Sequence, residues 1–150
     1  MQRVAAAILV KDDKILLAKR PANDRLPNKW ELPGGKIEDG ETPEVCLQRE
    51  LFEEFGIKVE VADFFCSSVF TYEHMKIELL AYFVQWTSGV MVPTVHEEIR
   101  WCALKELNSF DLAPADIPIV EELISTGNLS ANCGQALNLR SIKNIFDDDF

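Results

Sequence analysis

The sequence predicts an α/β fold, a mixed β-sheet held between two helices as an α/β/α sandwich, and three observations predict it. Strand-like runs rich in Val, Ile, Phe and Tyr lie on both sides of one well-marked helical segment, and a second helical pattern closes the series. One helix between strands, followed by more strands, suggests a sheet of mixed direction. A chain of 150 residues with 47% hydrophobic content can bury one sound core rather than two. One domain is therefore expected over residues 1–126, followed by an extension over 127–150.

The strands and helices are read in chain order. Residues 3–10 and 14–18 are apolar β-type runs separated by Lys11, Asp12 and Asp13, which reads as a hairpin. A polar loop with two prolines covers residues 19–28, and residues 30–33 should form a short strand delivering Gly34 and Gly35 to a helix. That helix has both ends marked. Thr42 is the expected N-cap, Pro43 fills the first position where no N–H is needed, and Gly56 suits the left-handed residue past the end. At about 100° per residue, Val45, Leu47, Leu51, Phe52 and Phe55 form an apolar side, with Glu50, Glu53 and Glu54 on the opposite, solvent-facing arc. Residues 58–69, 77–86 and 99–103 are strand-like, and residues 116–125 are helical with Pro118 in the first turn and Ile119, Val120, Leu123 and Ile124 buried. In the extension, Leu137, Leu139, Ile142, Ile145 and Phe146 can form one apolar helix stripe.

Composition narrows the function. A formal net charge of -10 and a pI near 4.6 argue against nucleic acid polymers and against anionic membrane surfaces as partners. A small nucleotide brought in with its own metal remains compatible. No apolar run is long enough to span a bilayer and residues 1–10 lack a signal-peptide pattern, so a cytoplasmic location is expected, for a monomer or homodimer. Cys46, Cys66, Cys102 and Cys133 are scattered without a CxxC pair, which suggests buried thiols rather than a zinc or redox site.

The chemistry concentrates in the acidic helix and the loop before it. Like charges three and four residues apart repel on a helix surface unless a cation lies between them. A carboxylate cluster beside a glycine-rich loop suits Mg²⁺, which takes hard oxygen ligands and substrate phosphates, with Mn²⁺ an alternative. A solvated acidic face is the ordinary alternative for such a cluster. The full spacing is Gly35, five residues, Glu41, seven residues, then Arg49-Glu50-Leu51-Phe52-Glu53-Glu54-Phe55-Gly56-Ile57. This string resembles the Nudix box with no position missing. The wider run Trp30-Glu31-Leu32-Pro33-Gly34-Gly35 resembles the MutT-type branch of that superfamily, and the likeness covers roughly residues 3–125.

The resemblance implies a sandwich fold and a metal-dependent pyrophosphohydrolase that converts a nucleoside triphosphate to a monophosphate and pyrophosphate. It implies Glu50, Glu53, Glu54 and the Gly34 carbonyl as metal ligands, with Glu50 or Glu53 also serving the attacking water and Arg49 orienting the glutamates. Glu31, Leu32, Pro33, Gly34 and Gly35 would line the nucleotide site, and Arg20 would contact phosphate, a role its fork-shaped guanidinium suits. Many Nudix enzymes carry a further glutamate six residues before a tryptophan; counting back from Trp101 gives Val95, so that role passes to Glu97 or Glu98, or is dispensed with. Asp116 occupies the base-reading corner, where an Asp resembles the branch acting on CTP and 5-hydroxy-dCTP and an Asn the branch acting on 8-oxo-dGTP. An Asp there is equally suited to cap the following helix. A hydrolase of another nucleoside diphosphate derivative and a non-catalytic nucleotide sensor are the remaining alternatives.

Overall fold

Strand β1 (Gln2–Lys11) is the centre of both layers, and in the computed structural model, which describes residues 1–127 and 129, its five residues Ala5 to Leu9 are almost wholly buried. Successive side chains point to opposite faces of a strand. Ala5, Ala7 and Leu9 accordingly pack on one side, with Leu47, Leu51 and Phe55, and Ala6 and Ile8 on the other, with Ile119, Val120 and Leu123. A strand covered on both faces has no polar alternation, so it reads as an unbroken apolar run.

Lys11 is followed by Asp12 and Asp13, both left-handed (φ 51° and 63°), and strand β2 (Lys14–Lys19) turns back beside β1. Two left-handed residues match the twist of a tight hairpin, and Asp tolerates that conformation. The short strands β3 (Trp30–Glu31) and β4 (Gly34–Lys36) follow, then helix α1 (Pro43–Phe55). Next come β5 (Lys58–Tyr72), β6 (Met75–Ser88), β7 (Glu98–Cys102), two 3-10 turns over Leu104–Ser109 and Pro114–Asp116, and helix α2 (Ile117–Thr126). The sheet order is β3-β2-β1-β6-β5, with β4 added to β1 and β7 to β2. Strand β1 runs parallel to β6 and antiparallel to β2 and β4, so the sheet is mixed and α1 and α2 cover its two faces, as the sequence predicts.

Three expectations change in detail. The strand expected over residues 30–33 breaks at Leu32 and Pro33, because β3 pairs with β2 whereas β4 pairs with β1, and the chain must cross between them. Strands β5 and β6 run to Tyr72 and from Met75, joined only by Glu73 and His74; both are left-handed, a turn that no Gly or Asn announces. On α1, Leu47, Leu51 and Phe55 are buried with Cys46, while Val45 and Phe52 are 48% and 57% exposed and fall outside the apolar seam. The caps of α1 are as expected: Thr42 Oγ1 accepts from Val45 N at 3.1 Å, and Gly56 is left-handed. Among the described residues no helix is long and apolar enough to cross a membrane. The expected stripe from Leu137 to Phe146, and Cys133, lie outside the described residues.

Candidate active site

Glycine sets the placement of the acidic helix. A Cβ on Gly34 would lie 1.9 Å from the Ala5 carbonyl oxygen, so only glycine lets β4 come this close to β1. A Cβ on Gly35 would lie 2.2 Å from Cδ of Glu50, so the missing side chain is the space in which that carboxylate rests. In the fold these glycines make room for the neighbouring strand and for a glutamate.

Arg49 fixes the carboxylates around it. Its guanidinium meets Glu41 at 2.6 and 3.0 Å, Glu50 at 2.9 Å, Glu53 at 3.3 Å and the Lys36 carbonyl at 3.2 Å. Hydrogen bonds from Arg49 and from the Glu38 N–H, with the Arg49 charge behind them, hold Glu41 down to about 2, so this carboxylate stays ionised and the loop stays tied to the helix. Arg49 lies outside the cavity lining.

The three glutamates do not share one solvent-facing arc. The Glu50 side chain is 13% exposed and Glu53 is 58% exposed, while Glu54 has a buried Oε1 without a hydrogen-bond partner. The reason is tertiary: β4 covers Glu50, and Thr94 bonds the carbonyls of Glu53 and Glu54 from the loop before β7. Burial and the adjacent Glu50 carboxylate push the pKa of Glu54 up. As the side chains stand, no three His, Cys, Asp or Glu groups among the described residues converge on a point that would hold a metal. The donor chemistry nevertheless fits a hard divalent cation, because two crowded carboxylates and an orphaned oxygen lie beside Gly34 and Gly35 on one wall.

That wall belongs to a cavity of about 590 Å³, within the usual range for small-molecule sites. Arg20, Glu31, Leu32, Gly34, Gly35, Glu50, Glu54 and Asp116 all line it; Pro33 and Glu53 do not. The Pro33 carbonyl instead accepts the Ala7 N–H at 2.7 Å. Arg20 follows β2, and its guanidinium pairs with Glu31 at 2.7 Å and with Asp24.

Asp116 reaches the site because the segment before α2 is laced to β3. Trp30 N donates to the Asp111 carbonyl and Ala113 N to the Trp30 carbonyl, each at 2.8 Å. The Asp116 side chain is then buried, 5% exposed, with Oδ2 accepting the Leu32 N–H at 2.9 Å. It makes no capping bond to α2, because the 3-10 turn leads into the helix already in helical conformation (φ -81°, ψ -21°). Burial and the Glu31 charge push its carboxyl well above the usual range, against the opposing pull of the Leu32 N–H and Arg20.

The loop before β7 sends different residues inward from those expected. Glu97 is exposed, and Glu98 opens β7 paired to Arg100 at 2.9 Å; neither lines the cavity. Val95 and His96 do. His96 stacks on Phe55 (centroids 5.4 Å apart, planes at 9°), and its Nε2 lies 2.8 Å from Glu31 Oε2. Sequence reasoning passed over His96, whose only signal was its place beside Val95.

The NUDIX domain model matches residues 1–123 of the chain. The chain is 38% identical over 125 residues to a CTP pyrophosphohydrolase of Escherichia coli K12, covering 83% of this chain and 93% of that one. It is 32% identical over 123 residues to an 8-oxo-dGTP diphosphatase of the same strain, covering 82% and 95%. Its fold superimposes on the solution structure of the E. coli ORF135 protein with a TM-score of 0.78 at 36% identity, covering 87% of this chain and 94% of that one. With the arginine-tied carboxylates, the glycine cradle and the sandwich all in place, the chain belongs to the Nudix hydrolase family, in its MutT-type branch.

Proposed function

We propose that the chain is a Mg²⁺-dependent pyrophosphohydrolase that converts a nucleoside triphosphate, favouring cytosine and oxidised cytosine bases, to the monophosphate and pyrophosphate. The observation that carries this reading is a single cavity lined both by Glu50 and Glu54 beside Gly34, Gly35 and by the buried Asp116. One set of groups suits a metal-bound polyphosphate and the other a hydrogen-bonding base. The likeness to a CTP pyrophosphohydrolase favours cytosine, and the likeness to an 8-oxo-dGTP diphosphatase makes oxidised guanine the second reading.

Glu50, Glu53, Glu54 and the Gly34 carbonyl are the residues that would hold the metal. When bound, the ion neutralises phosphate charge and lowers the pKa of water. Glu50 or Glu53 takes the proton of the attacking water, with Arg49 holding both in place. Arg20 offers its guanidinium to the phosphate oxygens. Asp116, anchored through one oxygen to Leu32, turns its other oxygen to the base edge; in its ionised form it accepts from the amino group of cytosine, where uracil has a carbonyl.

The test is pyrophosphate release across CTP, dCTP, 5-hydroxy-dCTP, UTP, GTP and 8-oxo-dGTP, with a nucleotide sugar and a dinucleotide as controls. Turnover should require Mg²⁺ or Mn²⁺, vanish with EDTA and return with metal. Glu54→Gln should lower kcat by roughly a hundredfold or more, the scale of losing a group used in the transition state. Activity confined to the two controls would move the chain to another diphosphate substrate, and binding without turnover would make it a sensor.

A further inference from the structure

We propose that His96 is a positioning residue for the nucleotide: clamped between Phe55 and Glu31, it holds the Glu31 carboxylate where that group fixes the Arg20 guanidinium for the polyphosphate. This inference rests on the nucleotide-hydrolysis reading above. The His96 side chain is only 4% exposed although it stands in a loop. Its ring lies nearly parallel to Phe55, the last residue of the acidic helix, and the same loop is moored to that helix by Thr94 N donating to the Glu54 carbonyl at 2.9 Å.

The two oxygens of Glu31 are separately engaged, Oε2 with His96 Nε2 at 2.8 Å and Oε1 with Arg20 at 2.7 Å. A carboxylate held by one oxygen can swing; held by both, it aims whatever it binds. A carboxylate oxygen accepts, so Nε2 is the donor to Glu31. The other ring nitrogen, Nδ1, is buried without a hydrogen-bond partner. A phenylalanine would stack on Phe55 without desolvating a nitrogen, so packing alone does not explain an imidazole here. The Nε2–Glu31 contact does, and His96, Glu31 and Arg20 line the same cavity.

The experiment compares wild type, His96→Phe, His96→Gln, His96→Leu, Arg20→Ala and the His96→Phe/Arg20→Ala double variant. Each is measured by melting temperature, by pyrophosphate-release kinetics with the best nucleotide of the panel, and by binding of its non-hydrolysable α,β-imido analogue. His96→Phe should keep the wild-type melting temperature and nearly the wild-type kcat, while KM and the analogue Kd rise about tenfold, the scale of one lost charge-assisted contact. His96→Gln, which can still donate to Glu31, should recover most of that loss. The double variant should be no worse than Arg20→Ala. An unchanged KM in His96→Phe, or losses that add fully in the double variant, would overturn the proposal. If His96→Phe fails to fold, the Kd of His96→Gln decides, because a purely packing role predicts no preference for the amide over His96→Leu. Wild type that neither hydrolyses nor binds the nucleotides would instead sink the hydrolysis reading itself, and this inference with it.

Discussion

A single absent methyl group governs the position of Glu50. Alanine at Gly35 would place a carbon 2.2 Å from the Glu50 carboxyl carbon, and the carboxylate, not the paired strand, would move. A displacement of about 1 Å at a reacting group can cost roughly a hundredfold in rate. Gly35→Ala should therefore keep the far-ultraviolet circular dichroism of wild type and lose pyrophosphate release on that scale; near-normal release would show that Glu50 need not sit where it does. At Asp116 the test is pH. Its folded pKa is raised, so the folded state keeps this proton after the unfolded chain has lost it at roughly pH 4. The stabilisation it contributes is complete below that pH and is lost as pH rises through the folded pKa. Asn keeps an acceptor for the Leu32 N–H but does not titrate. The melting temperature of Asp116→Asn relative to wild type should thus improve as pH rises above about 4, and a pH-independent difference would contradict it.

Elements differ in how well their ends are specified. Helix α1 carries its own start and stop in Thr42, Pro43 and Gly56, and each cap satisfies a backbone group within four residues of it. The β5–β6 hairpin has the opposite character. Its register is imposed by pairing over most of its length, and the turn residues Glu73 and His74 are pulled into left-handed conformations at φ 49° and 70°. Such a conformation costs a non-glycine residue roughly 1–2 kcal/mol. The Glu73–Arg25 ion pair joins two side chains that are 65% and 68% exposed, and exposed pairs contribute about 0–1 kcal/mol. Strain is the larger effect. Replacing Glu73-His74 with Asn-Gly should therefore stabilise the fold by about 1 kcal/mol, read as a higher urea midpoint without change in kcat. A lower midpoint would mean that the Arg25 contact outweighs the strain.

For the molecule as a whole, the two apolar layers are unequal in what they support. The α1 layer backs the carboxylates, whereas the α2 layer, with Phe65, Leu107 and Leu123, anchors the segment that presents Asp116. Leu129 is 4% exposed and joins this second layer. Leu129→Ala should cost about 2–3 kcal/mol by urea unfolding, the low end for a buried leucine, with kcat unchanged because Leu129 does not line the cavity. A loss below about 0.5 kcal/mol would show that the fold does not need this residue.

The sequence by itself determined the features whose causes are local. The ends of α1 and the Asp12–Asp13 turn follow from residues within a few positions of one another, and the box spacing identified the acidic helix and its arginine. Helical periodicity also grouped Glu50, Glu53 and Glu54, but it could not say which of them is covered, because that depends on where β4 and the loop before β7 come to rest. Only the tertiary structure decided the rest. His96 meets Glu31 across 65 residues of chain, and Asp116 meets Leu32 across 84. Contacts of that span are set by sheet register and layer packing, so no short pattern around either residue records its partner.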